Sequence, residues 1–368
     1  MHLNEPSTTI PDTPDVIYSH PQLIFATELD GGTLQELLLG RKLLEHVVAN
    51  EYGLAIALTD FNDEMANAVR VLNAHGIYTV AWLLLPPAEG CWFNLQNYPQ
   101  AIEHYQAFRA WAQHHHLSFD AVGLDIEPPM SESLASKRWG FRELARHHWL
   151  AHENVLYPAA RAAYTELVSD IRRDGYEVHT YQIPLLVDDR RAGTTMVQRA
   201  LDVVDLDADV EVLMCYSSLP VESFRGDLGG ALIASYGSAA DSIGIIGMGN
   251  GDPFHPLNPP NDPLPHLSWE TLERDILLAS RYTDTIYIFL LEGCIKRDVF
   301  SRIETINWDA EPTVLRHQRL FVEGMRTLLL LILAMTRFGR QLFAWLGWGI
   351  AIVLLLRQRK ASRHHRNK

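Results

Sequence analysis

From residue 20 to residue 305, short apolar runs alternate with longer stretches of helical period. The runs LIFATE (23–28), LAIALT (54–59), YTVAWLLL (78–85), AVGLDIE (121–127), EVHTYQIPLL (177–186), VEVLMCYS (210–217), IGIIGM (243–248) and IYIFLLE (286–292) have the length and β-branched content of strands. Between them, stretches such as DEMANAVRVLNAHG, YPQAIEHYQAFRAWAQHHH and WETLERDILLASRY repeat apolar residues at three- and four-residue spacing, and several end in glycine, a helix stop. Eight strands alternating with helices predict an α/β fold, a (β/α)8 TIM barrel, in preference to an open doubly wound sheet. No GxGxxG follows the first strand, which removes the usual sign of dinucleotide binding.

A different pattern begins after Pro312. From Thr327 to Leu356 the chain is apolar except around TRFGRQ, and it ends in the basic tail RQRKASRHHRNK. Residues 313–368 hold 11 Lys and Arg against one acid, while the preceding part holds 20 against 44. The expected organisation is therefore a leader over 1–20, a barrel over 21–312, and a membrane-associated helix or hairpin with a basic tail over 313–368. About 20 apolar residues span a bilayer. Leu342 to Leu356 is slightly short for that unless Phe338, Gly339 and snorkelling arginines extend it. One spanning helix, a re-entrant hairpin turning at TRFGRQ and a helix lying in the interface all fit the pattern, with a soluble helix pair packed on the barrel as the alternative. A basic tail favours a cytoplasmic carboxyl terminus. The lack of an apolar signal in MHLNEPSTTIPDTPD, together with three cysteines (Cys91, Cys215, Cys294) in no paired spacing, favours a cytoplasmic barrel.

Composition narrows the class further. With 47% hydrophobic and 21% charged residues the chain has the material for a large core and is neither disordered nor fibrous. The acidic first part has no clustered Lys and Arg for a nucleic-acid backbone, so nucleic acid is not an expected partner. No cofactor is expected, and the oligomeric state is open.

The chemistry concentrates in FDAVGLDIEPP. Val122, Leu124 and Ile126 form one face of a strand, leaving Gly123, Asp125 and Glu127 on the other; Pro128 and Pro129 then stop the strand. Buried carboxylates are costly, so both acids belong where the strand's carboxyl end meets a polar site, the end at which such barrels carry their active sites. Other polar or aromatic residues expected at that rim are Glu28 and Asp30, Asp60, Gln182, Tyr216, Asn250 and Asp252, and Glu292. Trp92 and Phe93 follow the third strand, where exposed aromatics could stack on a sugar. The loop GNGDPFHPLNPPNDPLPH is long enough to cover the site. His114–His116 close a helix, as suits its dipole, and His148 and His152 have chelating spacing with no third ligand in view.

The stretch DAVGLDIE resembles the DxxDxDxE signature on the fourth strand of the family 18 glycoside hydrolases, the chitinase-like barrels. Asp120, Asp125 and Glu127 match, and Gly123 stands where the middle acid is expected. MCYS is similar to that superfamily's MxYD on strand six, with Met214 and Tyr216 matching and Ser217 in place of the acid. The resemblance implies a carbohydrate substrate, with Glu127 as general acid/base, Asp125 as its partner and Tyr216 as a hydrogen-bond donor to a substrate acetamido group. Trp92, Gln182, Asn250, Glu292 and Glu28 are the expected substrate contacts. Like charges close together push two titrations apart, leaving one group as acid and one ionised. The two departures leave open a retaining mechanism with Glu292 or Glu28 as second carboxylate and a non-catalytic carbohydrate-binding barrel; independently, Glu28, Asp125, Glu127 and Glu292 could bind a hard cation, giving a metal-dependent phosphodiester hydrolase at a membrane.

Overall fold

The computed structural model describes residues 20–40, 42–129, 154–217, 220–221, 226–247 and 267–366. Eight parallel strands close into a barrel in chain order: β1 Gln22–Thr27, β2 Gly53–Leu58, β3 Thr79–Leu83, β4 Ala121–Ile126, β5 Glu177–Gln182, β6 Val210–Met214, β7 Ser242–Ile246 and β8 Thr285–Phe289, the last pairing back onto the first. All eight lie on the apolar runs. The fifth run is cut short because Pro184 opens a helix over Leu185–Ala192, so half of an apolar stretch belongs to the outer layer.

Alternation along the strands creates two apolar compartments. Leu23, Phe25, Leu54, Ile56, Val122 and Leu124 point outward to the helices, and each such side chain contributes roughly 1.5–3 kcal/mol when fully buried. The inner compartment is lopsided: Ala26, Ala55 and Ala57 on β1 and β2 face Trp82, Tyr181 and Tyr287 on β3, β5 and β8. Small residues on one wall make room for rings from the other.

The helices on the outside are α1 Gly31–Leu39, α2 Lys42–Ala49, α3 Asp63–Ala74, α4 Tyr98–His115, α5 Tyr157–Arg173, α6 Leu185–Ala192, α7 Met196–Ala200, α8 Gly229–Tyr236, α9 Trp269–Ala279, α10 Leu291–Lys296 and α11 Val299–Ile303. Side-chain caps start three of them: Asp30 accepts from Thr33 N–H, Asn62 from Met65 N–H and Ser268 from Thr271 N–H. His116 ends α4 in the left-handed region, as expected of a helix terminus. His148, His152, Asn250, Asp252 and the proline-rich loop lie outside the described residues, as does the leader up to residue 19.

After the barrel the chain forms one helix, α12, over Arg316–Arg366. At 1.5 Å per residue it is about 77 Å long. The expected hairpin at TRFGRQ is not formed, because residues 336–341 continue the helix without a break. Nor is this a helix pair. The first half of α12 docks on α6 and α8. Arg326 pairs with buried Asp188 at 3.0 Å, donates to Ser235 C=O and covers the Tyr236 ring at 3.8 Å; Val322 and Leu333 are buried, and Arg337 donates to Ala192 C=O at 2.8 Å. The opposite face exposes Leu328, Leu331, Ile332 and Met335. Among the described residues no helix is long and apolar enough to cross a membrane, so the expected spanning segment is not found there.

Candidate active site

The carboxyl end of β4 is held from both sides. On one side it pairs with β5, with Asp125 opposite Tyr181. On the other, the residues after β3 return as an extended segment whose Phe93 bridges to Ile126: Phe93 N–H donates to Asp125 C=O at 2.8 Å, and Glu127 N–H donates to Phe93 C=O at 3.2 Å. Phe93 itself is fully buried against Tyr164, so it anchors this clamp and is not available to a ligand. The backbone on either side of both acids is thereby fixed before any substrate arrives.

Asp125 is buried at 3% exposure and accepts from the Trp82 indole N–H at 3.1 Å through Oδ2. Burial pushes its carboxyl well above the usual range; the charges of Glu127 and Glu28 add to that, and the indole hydrogen bond opposes it. Burial also lifts Glu127, to about 7. Two carboxyls placed this way titrate as a pair, Asp125 raised well above the usual carboxylate range and Glu127 poised near neutrality. Tyr216 lies beside them: burial, then the charges of Asp125 and Glu127, hold its hydroxyl protonated well above the ordinary tyrosine range. The structure brings Asp125, Glu127 and Tyr216 together.

The other expected residues divide. Glu28 and Trp92 line a cleft of about 210 Å3 over β1–β3, together with Asp30, Thr59, Asp60 and Cys91; Asp125, Glu127 and Tyr216 are not part of its lining. Trp92 is 6% exposed, so it offers no open stacking face. The Cys91 thiol is pushed up to about 11 by burial and by the charges of Glu28 and Asp125, which keeps it protonated. Glu292, in the first turn of α10, accepts through Oε1 from the Thr27 hydroxyl at 3.0 Å and from Glu28 N–H at 2.9 Å. That carboxylate holds the end of β1. Gln182 is on the outward face of β5, with Thr180 and Glu211, and does not join the site. Asn250 falls outside the described residues. The rim after β4 and β7 (130–153 and 248–266) does too, so the cleft is described on its β1–β3 side.

Both motif departures have a physical account. An added Cβ at Gly123 would stand 2.7 Å from Tyr181 Cε2 and 2.9 Å from its hydroxyl, so the space an acid would need is occupied by the tyrosine. Ser217 points away from the barrel interior, hydrogen-bonded to buried Asp275 on α9. The matching Asp120 is at the other end of the strand, where its Oδ2 accepts from Thr79 N–H at 2.7 Å and ties β4 to β3. Sequence inspection passed over Trp82, Tyr181 and Phe289, which complete the aromatic floor: Trp82 meets Tyr181 and Phe289 edge-on at 5.9 and 5.6 Å, and Phe289 stacks on Tyr216 at 6.2 Å. Their signal was strand parity, since each lies on the inward face of its strand. Among the described residues no group of three or more His, Cys, Asp and Glu is arranged to hold a metal ion.

No protein-family model matches the chain, and no curated protein sequence does. Among solved structures, a GH18 chitinase from Pseudoalteromonas aurantia is similar in fold, at 11% identity over 77% of this chain and 99% of that one, with a TM-score of 0.44. A likeness so distant carries no chemistry, which rests on the residues of the site alone.

Proposed function

We propose that the barrel is a glycoside hydrolase in which Glu127 is the general acid/base and Asp125 its partner. The observation that carries this reading is the pair itself: buried Asp125, its carboxyl raised well above the usual range, beside half-buried Glu127 poised near pH 7, both clamped at a barrel mouth floored by Trp82, Tyr216 and Phe289. A protonated Glu127 delivers its proton to the glycosidic oxygen as the bond to the anomeric carbon breaks, and the resulting carboxylate then takes a proton from the attacking water. Asp125 has Oδ2 committed to Trp82, so its proton belongs on Oδ1, where it serves as a donor.

Because Glu292 is tied to Thr27 and Glu28, it is poorly placed as a protein nucleophile, which favours attack by the substrate's own acetamido oxygen. Tyr216 then donates to that group. The substrate class is a glycan bearing 2-acetamido sugars. The test is hydrolysis of aryl glycosides with poorly activated leaving groups: Glu127→Gln is expected to abolish turnover while the protein remains folded, and near-normal turnover by the folded variant overturns the assignment. Equal rates on glucosides and N-acetylglucosaminides would instead favour a protein nucleophile.

We further propose that α12 holds the barrel at a membrane surface. Its docked face grips α6 and α8, while the outward face carries Leu328, Leu331, Ile332 and Met335; beyond the dock, Trp345 and Trp348 are exposed on other faces of the helix and the arginine-rich tail follows. Exposed apolar side chains, tryptophans and cations on one helix suit the headgroup boundary of an anionic leaflet. Sedimentation with vesicles containing phosphatidylserine is the test. The full chain is expected to bind and a chain ending at Phe338 to bind less; a full chain that stays in the supernatant overturns it. The barrel is assigned to the cytoplasmic side, and protease digestion of the barrel on intact cells would refute that side alone.

A further inference from the structure

Inside the barrel, on neighbouring strands, the buried Asp125 Oδ1 and Tyr181 hydroxyl each lack a hydrogen-bond partner among the described residues and are not bonded to each other. Their residues are register partners on β4 and β5, both on the inward face. Leaving either atom unsatisfied in the interior is costly, and one hydrogen bond between them would satisfy both. The Tyr181 ring reaches this position only because residue 123 has no side chain: it lies over Gly123, where a Cβ would come within 2.7 Å of it.

The ring is also held from below. Tyr181 meets Tyr287 edge-on at 5.4 Å, the Tyr287 hydroxyl bonds His179 Nδ1, and His179 Nε2 faces Glu177 Oε2 at 3.5 Å, which in turn accepts from the Tyr78 hydroxyl at 3.3 Å. Glu177 is exposed at the strands' amino ends. A polar column thus runs down the barrel axis from the acid pair towards solvent at the far end.

We propose that Tyr181 is the positioning residue of the acid pair, a small rotation of the Asp125 carboxyl bringing Oδ1 into a hydrogen bond with the Tyr181 hydroxyl and so governing which carboxyl carries the proton. A phenol can serve both states: it accepts from the neutral carboxyl and donates to the ionised one. The titratable groups facing Asp125 are Glu127, Glu28, Cys91, Tyr181 and Tyr216, and of these Cys91 and the tyrosines stay protonated through neutral pH. The hydrogen bond is stronger to the ionised carboxyl, so removing it favours the neutral form.

The proposal builds on the acid pair assigned above, but its test does not require turnover. Infrared spectra of the full chain are recorded against pH, and the band of the neutral Asp125 carboxyl is assigned by its loss in Asp125→Asn. In Tyr181→Phe, which keeps the ring and its packing, that band is expected to persist about one pH unit higher or more, the tenfold change that one hydrogen bond to an ionised group supports. Gly123→Ala should shift it the same way by displacing the ring; should that variant fail to fold, Tyr181→Phe alone decides. An unchanged titration in Tyr181→Phe overturns the proposal. A shifted band in a protein that hydrolyses no glycoside upholds Tyr181 and refutes the hydrolase assignment instead.

Discussion

The Trp82 indole donates to Asp125 Oδ2 at 3.1 Å from the neighbouring strand, so a residue of the aromatic floor also sets the orientation of the buried acid. Trp82→Phe keeps most of the ring contacts with Tyr181 and Phe289 and removes only the donor. A hydrogen bond to a neutral carboxyl is worth about 0.5–1.5 kcal/mol, so kcat is expected to fall about twofold to tenfold with little change in KM. Steady-state kinetics with the same aryl glycosides check this.

Glu127 also links the site to stability. Its carboxyl is raised from 4.5 to about 7, so between those values the folded state holds a proton that the unfolded chain has released. The contribution of Glu127 to stability therefore falls as pH rises from 4.5 to about 7 and levels off above. Glu127→Gln carries no such dependence. The melting temperature of the variant is expected to match wild type near pH 4 and to exceed it by a few degrees at pH 8, read by calorimetry at both pH values.

The Asp188–Arg326 pair is buried on the carboxylate side and fastens α12 to the barrel. Arg326→Ala strands that carboxylate with, among the described residues, only the Tyr236 hydroxyl, at 2.7 Å, for company. Breaking a buried pair from one side costs about 3–5 kcal/mol, and a clear drop in the unfolding midpoint is expected in urea. The loss should be smaller in Arg326→Lys, which keeps the charge but not the planar fork over the Tyr236 ring.

Truncation provides a fourth check. A chain ending at Pro312 loses Arg326, Val322 and Leu333 together, and should be less stable than one ending at Phe338, which keeps the whole docked face. Equal melting temperatures for the two would mean that the docking adds nothing to the barrel.

How far the sequence went depends on what each run of residues had to encode. Barrel closure was legible because every strand is a bounded apolar run, and the acid pair because Asp125 and Glu127 share a face that Val122, Leu124 and Ile126 do not. Parity was not legible on β5: in EVHTYQ both faces are buried, so nothing in the run marks Tyr181 as inward and Gln182 as outward. Strand pairing supplied that, through Asp125 opposite Tyr181. Trp92 looked exposed because it follows a strand and a pair of prolines, yet the bridge from Phe93 to Ile126 draws the segment against the barrel and buries it. The polar break at TRFGRQ suggested a turn; Arg337 is instead used along the helix, reaching Ala192.

An uninterrupted helix from the dock at Arg326 to the tail also behaves as a lever arm. A barrel on a glycine- and serine-rich leash samples every attitude towards the surface that holds it. A barrel bolted to a stiff rod cannot. Wherever the far end of α12 is held, the mouth containing Asp125 and Glu127 faces one fixed bearing, and the reach of that mouth is set by counting helical turns. Inserting or deleting two residues after Phe338 would turn the barrel by about 200° around the rod while moving it only about 3 Å along it, converting a question about distance into one about direction.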